Sequence, residues 1–126
     1  MKDFHNLKVW ERAHQLTPSI YQLTKEFPKD ELYGLTSQMR RSAFSIPTNI
    51  AEGCGHDSQA EFTRYLYIAM GSSSELEYQL ILSHELQYLD DNSYSSLSSA
   101  LVEVRRMLNA LIHKVKRDNA SSSAKS

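Results

Sequence analysis

Residues 33–55, YGLTSQMRRSAFSIPTNIAEGCG, decide how this chain is read. Together with Leu32 just before them, Leu35, Met39, Ala43, Ile46 and Ile50 recur at steps of three and four. That spacing predicts one face of an α-helix, because side chains three and four apart share a side of it. Pro47 lies inside the pattern and predicts a bend, since proline lacks the backbone donor and crowds the preceding turn. Gly53 and Gly55 predict the stop, because glycine takes the left-handed conformation cheaply. The stretch also carries the pair Arg40-Arg41, with Asn49 and Glu52 beside apolar positions. A plain bundle helix requires none of these.

Working outward, Val9, Ala13, Leu16, Ile20, Leu23 and Phe27 give a first helix, with Leu7, Trp10 and Tyr21 on a neighbouring stripe. Pro18 predicts a kink between His14 and Pro18, and Pro28 marks the end. Downstream, Ser58 to Glu61 reads as a capping box opening a third helix. That helix extends to about Leu89, roughly 45 Å at 1.5 Å per residue. Phe62, Tyr65, Leu66, Ala69, Leu76, Leu80 and Leu86 supply its apolar positions. The run Gly71-Ser72-Ser73-Ser74 interrupts them with small side chains that permit close helix approach and lower helix propensity. Asp90-Asp91-Asn92 is a turn suited to cap a fourth helix, whose seam runs Tyr94, Leu97, Leu101, Val104, Leu108, Leu111 and Val115. Cations crowd the C-terminal half of that helix, where they complement its dipole.

Short connections between four long helices predict an all-α, antiparallel up-down-up-down four-helix bundle over residues 1–117. Residues 118–126 are polar and low in complexity, and a disordered tail is expected there. Helices one and three carry apolar or small residues beyond a single face. Two readings fit that surplus: burial against other subunits, or a wide stripe facing two neighbours within one bundle.

A chain of 126 residues makes one domain and buries a core without staples. The net charge of −1 creates no global demand for a polyanion, so nucleic-acid binding has to rest on a local basic face. The N-terminus lacks the apolar core of a secretory signal, and no run reaches the roughly 20 apolar residues of a membrane helix. One cysteine, Cys54, fits a reducing compartment. A cytoplasmic protein with no membrane partner is the expectation.

Bundles can house di-iron sites, which need Glu-x-x-His from each of two helices. Glu11 and His14 match once, whereas His56, His84 and His113 follow Gly53, Ile81 and Ala110 at that spacing. Cys54 and His56 could be a reactive thiol beside a base, but an activated thiol needs a positioned base and a third, orienting group that the sequence does not show, and a small residue in a helix-ending loop is the favoured reading. Gly53-Cys54-Gly55 lacks the Gly-Lys-Ser/Thr ending of a phosphate loop, and a lone cysteine makes no zinc site. No catalytic residue, cofactor or metal is therefore assigned. Tyr65, Tyr67, Tyr78 and Tyr88 fall on the third helix, where rings pack and hydroxyls stay wet.

Consecutive arginines point about 100° apart on a helix, so one of Arg40 and Arg41 lies near the core border. Glu52, Glu75 and Glu77 are candidate partners in an ion-pair network that fixes helix register or a subunit contact. The alternative is a phosphate-binding patch formed with Arg64 or Arg105.

The blocks LKVWERAH, YGLTSQMRRSAFSIPTNIAEG, EFTRYLYIAMGSSSELEYQL and VRRMLNALI resemble the four-helix-bundle proteins of the 23S rRNA intervening-sequence family. The resemblance covers about Phe4 to Lys116. It implies a small bacterial cytosolic protein that assembles as a homopentameric ring and has no catalytic residue. The family is similar to the accessory protein of diversity-generating retroelements, a pentameric barrel that partners a reverse transcriptase and binds nucleic acid through a basic surface. Pro18 departs from the family's usual helix former. This chain also departs in charge: five copies at −1 each carry about −5, which repels a polyanion at long range. Nucleic-acid binding would then depend on a ring of Arg40, Arg41, Arg105, Arg106 and Lys114.

The reading is a non-enzymatic oligomeric adaptor or scaffold for protein or RNA. A nucleic-acid-binding accessory protein acting through an arginine-rich face is the alternative, and a metal-dependent bundle enzyme the third. The interface or nucleic-acid candidates are Arg40, Arg41, Asn49, Glu52, Glu75, Arg105, Arg106 and Lys114.

Overall fold

Four helices carry the stripes read from the sequence: α1 (Lys8–Thr24), α2 (Ser37–Cys54), α3 (Gln59–Glu85) and α4 (Asp91–Lys125). The computed structural model describes residues 2–125, and no strand occurs among them. Contacts between side chains fix the directions. Thr17 and Thr24 of α1 meet Ala43 and Arg40 of α2, so numbers rise on one helix as they fall on the other. Met39 and Ser45 of α2 meet Ser83 and Ser72 of α3, and Tyr67 and Glu77 of α3 meet Lys116 and Arg105 of α4. Each sequential pair is antiparallel, and α4 closes the bundle against α1.

The predicted seams form the core. Ala13, Ile20, Met39, Ala43, Ile46, Ile50, Leu66, Ala69, Leu76 and Leu108 are fully buried. Burying each large side chain contributes about 1.5–3 kcal/mol, which is why the stripe controls the fold. One seam position shifts on α4, where Ile112 is buried in place of Leu111, which is only partly covered.

The helix ends depart from several expectations. Leu32 is 46% exposed and does not extend α2. Leu32–Thr36 instead forms a wider π-type turn, because Gly34 (φ −118°, ψ −113°) lies outside the helical region. Glu31 accepts from the backbone N–H of Leu35 at 3.3 Å and so caps that turn. At the far end of α2, Gly55 has φ −76° and no glycine is left-handed. Gly53 lies inside the helix, where a Cβ would stand 2.9 Å from Tyr65 Cβ and 3.0 Å from Phe62 Cδ1. Its role is close approach of α2 to α3, not termination. The N–H of Lys2 donates to the carbonyl of Cys54 at 3.0 Å, so the N-terminal segment takes up an end carbonyl of α2.

Half of the capping box at α3 forms: Ser58 Oγ accepts from Glu61 N–H at 3.2 Å, while the Glu61 carboxylate turns to Arg64. The other end stops at Glu85, short of Leu89 and leaving Tyr88 beyond the helix. The Gln87 N–H donates to His84 O and the Tyr88 N–H to Ser83 O, the pair of bonds that closes a helix when the residue between them is left-handed. Gln87 is that residue, with φ 65°. Asp90 Oδ1 accepts from Ser93 N–H at 2.7 Å and caps α4 as expected, and that bond holds its carboxyl below the usual range.

Both prolines sit in unbroken helices. Pro18 and His14 are exposed, so water can satisfy the carbonyl that Pro18 leaves without a donor. Helix α4 continues to Lys125, through residues where disorder is expected. Extending a formed helix costs little, and neither glycine nor proline follows Lys116 to stop it.

Two substitutions should move stability in opposite directions. Gly53→Ala forces α2 from α3 and should destabilise by about 1–2 kcal/mol despite alanine's better propensity. Gln87→Gly relieves the left-handed backbone and should stabilise by about 0.5–1 kcal/mol. Urea unfolding of each variant checks both signs.

Candidate functional site

The candidate cations do not converge. Arg40 lies across the end of α1, where its Nε donates to Thr24 Oγ1 at 2.9 Å and its Nη2 to Tyr21 O at 3.4 Å. Its guanidinium also sits over the Tyr21 ring at 4.9 Å. No carboxylate among the described residues pairs with it, which corrects the expectation of an ion pair. Arginine's planar fork satisfies a carbonyl, a hydroxyl and an aromatic face at once, so a border arginine does not need an acid. Arg41 is exposed and forms no ion pair among the described residues.

Arg105, which the phosphate-patch alternative drew on, is instead engaged with Glu77, one of the candidate acids of the network reading. It meets Glu77 at 2.9 Å and Ser74 Oγ at 3.1 Å, tying α4 to α3. Its Nε is buried without a partner. Arg106 pairs with Glu103 one turn away at 2.6 Å, and this hydrogen bond keeps the Glu103 carboxyl below its ordinary range. Lys114 is exposed. Arg40 therefore serves the α1–α2 contact and Arg105 the α3–α4 contact, on opposite sides of the bundle.

The polar residues of α2 divide similarly. Asn49 Nδ2 donates to Ser45 O at 2.8 Å and to Ser45 Oγ at 3.0 Å. Ser45 Oγ lies 2.8 Å from Ser72 Oγ, so Asn49 steadies a hydroxyl pair that joins α2 to α3. Glu52 and Glu75 are exposed and make no ion pair among the described residues. The small run on α3 is split as well. Ser72 and Ser73 are buried, whereas nothing lies within 4 Å of where a Gly71 Cβ would be.

A cluster not anticipated from the sequence sits on the α1–α2 side. Trp10 and His14 stack at 5.1 Å with planes 3° apart, and Phe4 meets Trp10 edge-on at 4.9 Å. These rings border an open groove of about 380 Å³ shared with Phe44, Pro47 and Thr48. The signal was present: Trp10 and His14 are four apart and share a helix face. Glu11 joins no metal set, and no group of three His, Cys, Asp or Glu side chains assembles among the described residues. Cys54 is buried, which pushes its thiol pKa up and disfavours the thiolate. His56 stacks on Tyr65 at 5.1 Å and makes no bond to Cys54. No helix is long and apolar enough to cross a membrane among the described residues.

Comparison with known proteins agrees with this architecture. The crystal structure of a protein of unknown function from the S23 ribosomal protein family of Bacteroides thetaiotaomicron VPI-5482 superposes with a TM-score of 0.78 at 27% identity. The match covers 83% of this chain and 95% of that one. No curated protein matches the sequence. The model of the 23S rRNA-intervening sequence protein family matches residues 5–110. A match over most of the chain places this protein in the 23S rRNA-intervening sequence protein family.

Proposed function

We propose that the protein is a non-enzymatic adaptor that works as a ring of five copies and holds a protein or RNA partner. The observation that carries this reading is apolar surface left uncovered on two separate faces of one bundle. On the α1–α2 face, Phe44 is 44% exposed beside the Trp10 groove. On α3, Tyr67, Ile68 and Tyr78 are 49%, 40% and 62% exposed around the open position at Gly71. A closed ring uses a heterologous contact, in which one face of each copy meets a different face of the next. Two unlike apolar faces supply that need, and a bundle that worked alone would gain nothing from leaving them wet.

Charge adds direction to the contact. Arg41 is unpaired on α2, and Glu75 and Glu85 are unpaired on α3 among the described residues. Opposite charges beside the two apolar faces favour one orientation of neighbouring copies over the reverse.

Native mass spectrometry or light scattering of the purified chain should show one discrete oligomer. Phe44→Asp and Tyr78→Asp should each shift it to smaller species while far-UV circular dichroism stays helical. A wild-type monomer at micromolar concentration removes the proposal. The two arginines should separate in the same experiments. Arg40→Ala should cost about 1 kcal/mol of stability through its lost hydrogen bonds. Arg41→Ala should leave the melting temperature alone and loosen the assembly.

A further inference from the structure

Where α1 ends against the start of α2, a pocket of about 170 Å³ is bordered by Lys25, Lys29, Arg40, Thr24, Thr36 and Leu32. Liquid water takes about 30 Å³ per molecule, so the space holds several waters or one tetrahedral oxyanion. Three cations border it and no carboxylate does. Neither lysine makes an ion pair among the described residues, and Arg40 is held in place by Thr24 and Tyr21. Two of the five N–H groups of Arg40 are used in that way, which leaves others free to donate.

Thr36 adds a hydroxyl to the wall of the pocket. It is 3% exposed, lines the pocket, and its hydroxyl makes no hydrogen bond among the described residues. That hydroxyl is not one of the fully buried polar atoms left without a partner, so it keeps access to solvent at the pocket wall and is free to donate to a ligand there. The hydroxyl of Thr24 differs, being engaged with Ile20 O at 2.7 Å and with Arg40.

Asp30 and Glu31, the carboxylates that follow Lys29, do not line the pocket, and the other groups that would oppose an anion here are engaged or line another groove. The carbonyls of Gln22, Leu23 and Thr24 at the end of α1 accept from the N–H groups of Lys25, Glu26 and Phe27. Glu31 accepts from Leu35 N–H and from Tyr88 Oη–H at 2.9 Å. Glu26 lines a different groove, between α1 and α4.

We propose that this corner binds a phosphate group, held by Lys25, Lys29 and Arg40 and oriented by the Thr36 hydroxyl. Arginine and lysine at one small concavity, with a hydroxyl donor at its wall, form a set suited to a tetrahedral oxyanion. The phosphate can come from an RNA backbone or from free phosphate, and the chemistry of recognition is the same. The inference does not require the ring, because all of the groups belong to one copy.

The test uses the full chain in two arms. Inorganic phosphate is titrated calorimetrically, and a single-stranded RNA oligomer with a 5′-hydroxyl is titrated by fluorescence anisotropy at several salt concentrations. The Lys25→Ala/Lys29→Ala variant, which loses no side-chain hydrogen bond or ion pair among the described residues, should bind about tenfold or more weakly at low salt, and in the RNA arm its salt slope should fall by about two. Thr36→Val should weaken binding and leave that slope unchanged. Binding of RNA alone assigns the site to backbone phosphate, and binding of the ion alone assigns it to free phosphate. If neither ligand binds saturably at low salt, or if the double-lysine variant binds like wild type with an unchanged melting temperature, the proposal is overturned.

Discussion

The close approach of α2 to α3 is the constraint on which the rest of this bundle depends. At Gly53 the two helices come so near that a single added carbon would stand 2.9 Å from Tyr65 Cβ. The contact continues along α2 through the Ser45–Ser72 hydroxyl pair and the Ser83 hydroxyl on the sulfur of Met39. Small side chains recur on the facing surfaces because larger ones would separate the helix axes. Once α2 is fixed against α3, its other side is fixed too. Ala43 receives Thr17, and Arg40 reaches across to the end of α1.

Polar groups in this protein mostly serve those contacts. Hydroxyls of Thr24, Thr63, Ser73 and Ser83 return to carbonyls of their own helices, which lets them lie inside a bundle without unsatisfied donors. The arginines follow two patterns. Arg105 spans α3 and α4 through Glu77, while Arg64 and Arg106 are neutralised by acids one turn away. Local pairing of this kind contributes little to stability, but it lowers the number of cations free to attract a polyanion. Lys8 and Arg12 on α1, Lys25 and Lys29 at the α1–α2 corner, Arg41 on α2 and Lys114 near the end of α4 make no ion pair among the described residues.

The outer surface has a different logic. Helix α3 is flanked by other helices on its inner side and still presents Tyr67, Ile68 and Tyr78 outward. The α1–α2 side presents Phe44 next to the stacked Trp10 and His14. The wide stripes noted in the sequence are therefore only partly explained by two neighbours within the same bundle, since part of their width remains in water in a single copy.

The sequence by itself determined the four helices, their antiparallel order and nearly all of the core, because steps of three and four record which side of a helix is buried. Its cap residues Ser58 and Asp90 were legible for the same reason: capping is local, and acts within one turn. The departures at Leu32, Gly53 and Gln87 were not legible, because each depends on what lies across the chain or on a backbone angle that the residue type does not reveal. A glycine at a helix end and a glycine at a helix crossing look alike until the partner helix is in place. Likewise the spacing placed one of Arg40 and Arg41 at the core border but neither chose between them nor named a partner, since the carbonyl of Tyr21 and the hydroxyl of Thr24 come near Arg40 only when α1 and α2 pack. The tertiary structure alone decided which cations are engaged, which are free, and that Lys25, Lys29 and Arg40 line one small pocket with Thr36. Periodicity is a property of one helix, whereas a binding corner is a property of two helices and the turn between them.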